Sequence, residues 1–481
     1  MTIIKFGTDG WRDLMYDHFN LPNVRFVVQA IAEYVRQNQG ETKGVVVGYD
    51  ARFFSDLFAR EAAGVLAANG IKVYLSERDL PTPVNAYAVK LHQAFGAIMF
   101  TASHNPPEYN GIKFIPEYAG PASLEITKAI EANLTKIIQI GKEPEIVPFT
   151  KIDATGLLVS IDPIPEYLKQ LRSLINVQAI CDSGLKIIVD PMYATGRGLM
   201  ADLLAKCSVR EIHSNKDPLF GGFMPDPQDK FLEELKAEVR AEPNAIGLAT
   251  DGDADRFGII DSDGTYLTPN QVIPLLMVHL IKTRGYHGVV GRTVATTHLI
   301  DRLGKRYGAE VIETPVGFKY IGELMRTRSV IIGGEESGGL SIQGHIPEKD
   351  GLLACALMAE MRAMTKKPLL ETLRELYAEV GQLWTRRVDI HLSDQTKEAV
   401  LSQCKTRALD QVGSLKVIDK RTIDGFKYIL ENGAWFLIRP SGTEALIRVY
   451  FEANSETELE MLVKQVQGMV DQWSATTFLS N

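Results

Sequence analysis

The stretch TASHNPPEYNGIKF, Thr101 to Phe114, places a Ser-His pair, two prolines, an Asn-Gly turn and a lysine within a few positions. Pro106 and Pro107 lack backbone donors and bias the residue before each away from helical geometry, so the segment is a shaped loop that fixes Ser103. In DGDADRFG, Asp251, Asp253 and Asp255 recur at i, i+2 and i+4. Three hard carboxylate oxygens from one short loop suit Mg²⁺ or Ca²⁺. An EF-hand is excluded, because Arg256 stands where that loop needs glycine and Ser262 where it needs a bidentate glutamate. The plain alternative is an acidic turn, but three crowded carboxylates repel one another without a cation. Arg256 points to an anionic group approaching the same place.

Two further segments carry recognition chemistry. In RPSGTEALIRVY, Arg439 is grouped with Ser441, Gly442 and Thr443. A guanidinium, two hydroxyls and close backbone approach at a glycine form a phosphate cradle, although S-G-T is also common turn composition. Arg448 adds a second cation there or faces solvent. In GGEESGG, Gly333 to Gly339, carboxylates and a serine flanked by glycines suit hydrogen bonding to sugar hydroxyls, with a simple hairpin turn as the alternative. Gly196, Gly198 and Ala201 match G-x-G-x-x-A after KIIVD, but PMYAT separates the strand from the first glycine, where a dinucleotide site needs a tight turn. No Walker A motif occurs.

The elements that must position these residues are legible as patterns. AFGAIMF (Ala94 to Phe100) and the IGLAT before Asp251 read as buried strands, delivering Ser103 and the aspartates at strand ends, where open α/β sheets place their chemistry. A strand-loop-helix pattern appears three times, at GVVVGYDAR, LKIIVDPMYATGRG and GVVGRTVATTHLI. Three α/β units of about 100 residues or more fit it. Joints are expected near Glu145 to Ile152, Asp261 to Thr268 and Pro368 to Leu383, after which strand-like runs around the helical SETELEMLVKQVQGMVDQW read as a small α+β domain.

Bulk properties narrow the class. At 481 residues the chain exceeds one core and suggests roughly three or four domains. A net charge of −8 argues against a nucleic-acid binder relying on general positive charge, so an anionic ligand would need a local cation cluster. No apolar run approaches the roughly 18 residues that cross a bilayer, the best being Val272 to Ile281, and no signal peptide is evident at the start. Cys181, Cys207, Cys355 and Cys404 form no CxxC pair and are expected as buried reduced thiols in a cytoplasmic protein.

Ser103, the aspartate triplet, the GEES loop and the RPSGT loop follow in order, one in each successive segment, and this series resembles the α-D-phosphohexomutase superfamily, which includes phosphoglucomutases and phosphomannomutases. The likeness runs from KFGTDGWR, Lys5 to Arg12, to RVYFEA. It implies an α/β fold of four domains around a central cleft, three mixed α/β (1–150, 151–262 and 263–375) and one α+β (376–481). It further implies that Ser103 carries a transferable phosphoryl group, passed to a hexose monophosphate through a glucose 1,6-bisphosphate intermediate, with Mg²⁺ held by Asp251, Asp253, Asp255 and a phosphoserine oxygen. Lys113 and Arg12 stand where the family has its general acid/base, and Lys113 would need a depressed pKa. His104 would help position the phosphate, with a loop histidine bonding backbone as the alternative, and Arg256 would contact the phosphoserine. Arg439, Ser441, Gly442 and Thr443 would grip the unreacting phosphate, Glu335 and Ser337 the sugar hydroxyls, and Lys319 lies in a substrate-contacting loop. His345 and Lys349 match a segment of the glucose-type enzymes without an assigned role.

The expected partner is a hexose phosphate, with no nucleic acid or membrane, for a monomer or homodimer. Dual-specificity members often carry histidine where Gly339 stands, and GEES resembles the glucose-preferring branch, favouring phosphoglucomutase over phosphomannomutase. The chain departs from the family by lacking the more usual glycine after Arg12. A glucose 1,6-bisphosphate synthase remains an alternative, as does an inactive sugar-phosphate binder, which would need neither Ser103 nor the aspartates and Lys113.

Overall fold

The computed structural model describes residues 4, 10–441 and 446–476. Its strands fall into four sheets that succeed one another along the chain. The first contains β1 (Trp11–Leu14), β2 (Val45–Tyr49), β3 (Val73–Ser76), β4 (Gly96–Phe100), β5 (Tyr109–Pro116) and β6 (Leu158–Ile161), ordered β1-β5-β4-β2-β3-β6. The second contains β7 (Lys186–Asp190), β8 (Ser208–Glu211), β9 (Ala245–Thr250), β10 (Phe257–Ile260) and β11 (Tyr266–Leu267), ordered β11-β10-β9-β7-β8. The third is β13 (Glu310–Thr314), β12 (Val289–Thr293), β14 (Val330–Gly334) and β15 (Leu340–Ile342), in that spatial order. The fourth is antiparallel, ordered β16 (Trp384–His391), β21 (Leu446–Ala453), β20 (Trp435–Pro440), β19 (Phe426–Leu430), β18 (Leu415–Arg421) and β17 (Gln411–Val412).

One plan recurs in the first three sheets. The opening strand (β2, β7 or β12) pairs in parallel with its successor (β3, β8 or β13) on one side and with a third strand (β4, β9 or β14) on the other. That third strand then pairs antiparallel with a fourth (β5, β10 or β15). The third strands are buried at every position and apolar but for Thr250, the reading that parallel strands covered by helices on both faces require. The turn from third to fourth strand is where the chemistry sits: residues 101–108 in the first copy, 251–256 in the second and 335–339 in the third. Three motifs of unrelated sequence therefore occupy one topological position.

A continuous core joins the first three units, running from Val46 and Val84 through Leu171 and Ile246 to Leu353 and Leu376. The helix Pro269–Arg284 is buried at each residue from Val272 to Leu280, which explains its unbroken apolar reading; among the described residues no helix is long and apolar enough to cross a membrane. The fourth unit has its own core, where Trp473 and Val466 of the helix Glu456–Thr476 pack over Phe436 and Phe451. It meets the third unit through Trp435, Leu437 and Tyr450 against Val294 and Ala295.

One expectation needs correction. Cys181 and Cys207 are joined in a disulfide, while Cys355 and Cys404 are free and buried. The pairing is tertiary: the short helix Val177–Asp182 crosses beside the residue preceding β8 and brings Cα atoms 26 positions apart to 4.4 Å. Spacing in the sequence carries no trace of that approach.

Candidate active site

Ser103 follows β4 in a left-handed backbone conformation (φ 52°), 1% exposed. Its N–H donates to Thr101 Oγ1 (2.8 Å), and its Oγ donates to Asp251 Oδ2 (2.8 Å) across the boundary between the first two units. The strand β5 that returns from this loop carries Lys113, 3% exposed, whose Nζ donates to Asp253 Oδ2 (2.9 Å) and lies 3.4 Å from Asp255 Oδ2. Arg12 of β1 is registered opposite Gly111, two residues before Lys113, so Arg12 and Lys113 share a face of the sheet. Arg12 Nη1 also donates to Asn105 Oδ1 (3.1 Å), bracing the serine loop from its other limb.

The three aspartates are buried, with carboxylate oxygens within 4.8 Å of one another. Asp251 Oδ1 accepts the backbone N–H groups of Asp255 (2.9 Å) and Arg256 (3.1 Å), which curl the turn. Asp253 Oδ2 also accepts from Thr82 Oγ1 (2.6 Å). Burial, and then Asp253 and Asp255, push the Asp251 carboxyl well above its ordinary range. Burial would raise Asp253 too, but the Lys113 ammonium, Thr82 and Arg12 outweigh it and hold that carboxyl well below the usual range. Asp253 Oδ1 and Asp255 Oδ1 are buried without a hydrogen-bond partner among the described residues. Orphaned anionic oxygens at that spacing fit a hard divalent cation, which would take up acceptor capacity that the protein leaves unused.

Around this centre the cations gather as the net charge requires. Burial alone would lower the Arg256 pKa, but Asp226, Asp251, Asp255 and Asp253 outweigh it and keep the guanidinium charged. His104 is driven well below its ordinary pKa by burial and then by Arg256 and Arg12, so its ring is neutral near pH 7, with Nδ1 buried and unpartnered among the described residues. Lys349 is also here: its Nζ lies 3.2 Å from Asp255 Oδ2, and its stem fills the space a side chain at Gly339 would need, since a Cβ there would come 2.4 Å from Lys349 Cδ. His345 is placed differently. Its Nε2 pairs with Asp350 Oδ2 (2.8 Å), the oxygen that also accepts from Tyr167 Oη, and Asp350 caps the helix Gly351–Thr365.

The sugar-loop candidates sit on the β14–β15 turn. Glu335 is buried and accepts the Gly317 N–H (2.9 Å); burial raises its pKa, against the pull of Lys349. Ser337 is half-buried at the tip of the turn, and Lys319 lies in the first turn of the helix Phe318–Thr327 with its ammonium 5.3 Å from the Tyr320 ring centroid. Arg439 reaches this group through Asp424, whose Oδ2 accepts both Arg439 Nε (2.8 Å) and the N–H of Val316 (2.9 Å), the residue before Gly317. Arg448 is registered directly opposite Arg439, on the same face. Ser441 is buried at the end of β20, whereas Gly442 and Thr443 lie outside the described residues, as do Lys5 to Asp9 of the first motif. Two partners of the site carry no motif signal: Thr82, and Arg52, which lies beneath the serine loop.

Comparison with known proteins accounts for this arrangement along the whole chain. Phosphoglucomutase/phosphomannomutase profiles match in order: α/β/α domain I over residues 4–140, domain II over 165–264, domain III over 268–380 and the C-terminal domain over 397–468. A phosphoglucomutase/phosphomannomutase of Thermococcus kodakarensis is 29% identical, covering 96% of this chain and 98% of its own. A phosphoglucosamine/phosphogalactosamine mutase of Sulfurisphaera tokodaii is 28% identical, covering 97% and 99%. A crystal structure from Thermus thermophilus, described as a phosphomannomutase, superposes with a TM-score of 0.84 at 33% identity over 98% of this chain and 99% of that one. With the four profiles matching in order along the chain that bears the serine loop, the acidic turn, the Glu-Glu-Ser turn and the arginine-bearing strand, the chain belongs to the phosphoglucomutase/phosphomannomutase family of phosphohexomutases, within the α-D-phosphohexomutase superfamily.

Proposed function

We propose that the protein interconverts glucose 1-phosphate and glucose 6-phosphate through phospho-Ser103 and a glucose 1,6-bisphosphate intermediate. The observation that carries this reading is Ser103 Oγ, held 2.8 Å from Asp251 Oδ2 beside two further buried aspartates with orphaned oxygens. Asp251, Asp253, Asp255 and a phosphoserine oxygen would hold Mg²⁺, which would supply charge neutralisation for the transferring phosphoryl group.

The protein's own residues do the rest. Arg439 and Ser441 grip the phosphate that is not reacting, and Glu335 with Ser337 accepts from sugar hydroxyls, so that both orientations of the hexose present a hydroxyl to the same phosphoserine. As that hydroxyl attacks phosphorus, the bond from phosphorus to Ser103 Oγ breaks and the hydroxyl proton passes to Lys113. Lys113 would act in its neutral form at that step; it is buried and shares its sheet face with Arg12. Neutral His104 and charged Arg256 flank the phosphoserine. The glucose assignment rests on the GEES turn and on Lys349 occupying the space beside Gly339.

Phosphorus NMR tests the proposal directly. The protein is incubated with Mg²⁺, a trace of glucose 1,6-bisphosphate, and glucose, mannose or glucosamine 1-phosphate in separate tubes, beside Ser103→Ala. Fastest conversion of the glucose ester, absent in the variant, is expected. Preference for another sugar overturns the substrate assignment; bisphosphate accumulation from fructose 1,6-bisphosphate in place of isomerisation identifies a synthase.

A further inference from the structure

Arg52 belongs to none of the four motifs, yet its side chain is 0% exposed directly under the serine loop. A guanidinium has five N–H donors, and all five are used. Nε donates to Asp50 Oδ2 (3.1 Å), Nη1 to the carbonyls of Pro106 (2.7 Å) and Tyr109 (3.0 Å), and Nη2 to those of Ser103 (2.6 Å) and Asn105 (2.6 Å). Four of the five therefore end on carbonyl oxygens of residues 103–109. A loop broken by two prolines cannot satisfy those acceptors in a regular ladder. Converging them on one planar fork dictates the curvature of the segment.

The fork is itself held on every side. Asp50 Oδ1 accepts the Arg52 N–H (3.0 Å) and Ser55 Oγ (2.8 Å), which fixes the carboxylate that fixes Nε. The ring of Phe220, from the unit that supplies the aspartates, covers the guanidinium with its centroid 5.0 Å from Cζ. Above, Ser103 adopts a φ that a non-glycine residue keeps only when its surroundings over-determine it. Its carbonyl is gripped by Arg52 Nη2 and its N–H by Thr101 Oγ1, so both flanking peptides are clamped in the backbone from which Oγ donates to Asp251.

We propose that Arg52 is a positioning residue of phosphoryl transfer, a buried mould around which residues 103–109 are shaped so that Ser103 is presented to the acidic turn and the substrate. The proposal rests on the phosphoserine reading of Ser103 and adds the group that sets its geometry without touching substrate. Lysine cannot replace it: an ammonium offers three donors from a point, not five from a rigid plane.

Arg52→Lys is the test, with Arg52→Ala plus millimolar guanidinium as its complement. The expected result is kcat about 100-fold lower in Arg52→Lys, the scale of a misplacement near 1 Å. The KM for glucose 1-phosphate should stay within about threefold, because Glu335, Arg439 and Ser441 are untouched. Guanidinium should restore kcat to Arg52→Ala saturably, an effect a general packing role would not produce. Amide exchange over residues 101–111 should quicken while that of β7 and β9 does not. Wild-type-like kcat in Arg52→Lys, or a loss confined to KM, overturns the proposal. If the wild type transfers no phosphoryl group, the phosphoserine reading fails, and the exchange measurement alone decides whether Arg52 moulds the loop. If Arg52→Lys does not fold, Asp50→Asn, which releases the anchored Nε so that the fork and the four carbonyls it holds can shift, must lower kcat at constant KM, and an unchanged kcat again overturns the idea.

Discussion

Replacing Lys113 with methionine probes whether this lysine is the resident counter-ion of the aspartate triplet. Its ammonium is 2.9 Å from Asp253 Oδ2 and 3.4 Å from Asp255 Oδ2, with side chains 4%, 0% and 1% exposed. Methionine keeps most of the stem and removes only the charge. Deleting one partner of a buried pair strands the other charge and costs about 3–5 kcal/mol. Lys349 remains on Asp255 at 3.2 Å, which favours the lower end, about 3 kcal/mol in the metal-free protein. At about 2–4 °C per kcal/mol for domains of this size, that is a fall in Tm of about 6–12 °C. A divalent cation supplies the same compensation from the other side, so the deficit should close as Mg²⁺ is added, and the variant should bind Mg²⁺ about tenfold more tightly, or about 1.4 kcal/mol, once the competing ammonium is gone. Thermal melts in chelator and across a Mg²⁺ titration, wild type beside variant, read both quantities. Equal Tm values in chelator, or a deficit that Mg²⁺ leaves untouched, would refute the counter-ion argument whatever happens to turnover.

Three other perturbations have defined outcomes. Burial would raise the Glu313 carboxyl, but His298, Lys427 and Arg292 outweigh it and hold it well below 4.5; the resulting stability is present above that pH and is lost as the pH falls beneath it. Glu313→Gln should therefore cost about 2 kcal/mol at pH 7 and remove that acid-side loss, read by urea denaturation between about pH 3 and pH 7. Gly339→Ala should push Lys349 off Asp255, lowering turnover about tenfold with stability changed by only about 1 kcal/mol, because the obstructing atoms belong to a flexible stem; steady-state kinetics and a melt separate the two. Cys207→Ser opens a link between residues 26 apart, worth about 3–4 kcal/mol by chain entropy, and since it lies at the end of β7 and β8 opposite the acidic turn, the melt should move while kcat does not.

What the sequence disclosed follows from how strongly chemistry restricts residue choice. Three carboxylates at alternate positions, a serine between stiffening prolines, and an arginine beside S-G-T are uncommon outside sites, and each is found where a strand ends. The threefold strand pattern was legible for the same reason: both faces of β2, β7 and β12 are covered, so their apolar runs are continuous. Residues that act through shape left no such trace. Arg52 sits in a Tyr-Asp-Ala-Arg run that any strand end could carry, and its meaning depends on carbonyls more than 50 positions away. The disulfide and the approach of Lys349 to Asp255 depend on packing between elements distant in sequence, which periodicity does not encode.

The units that carry the site are linked to one another by different kinds of contact. The first and second units are joined by backbone bonding, Thr82 N–H to the Asp253 carbonyl at 2.9 Å, as well as by Ser103 to Asp251. The second and third are joined by Phe257 N–H to the Gly338 carbonyl (3.1 Å) and Gly351 N–H to that of Ala254 (3.0 Å). Gly351 has no alternative there, since a Cβ would come 2.2 Å from the Arg256 carbonyl oxygen. Among the described residues no backbone-to-backbone hydrogen bond ties the fourth unit to the third; its links run through side chains, Asp424 to Val316 N–H, Lys427 to the Val294 carbonyl, and Glu452 to His298 N–H. Side-chain links re-form after a small rotation more readily than a shared backbone ladder does. On the proposed reading, Ser103, the aspartates and the β14–β15 turn would stay in one register while a bisphosphate reverses its ends, and the unit carrying Arg439 would be the part that swings. Glucose 1,6-bisphosphate should accordingly slow amide exchange around residues 294–298 and 424–439 in wild-type protein and leave the amides of Phe257 and Gly351, which join the second and third units, unchanged; slowing confined to those two amides would place the movement between the first three units instead.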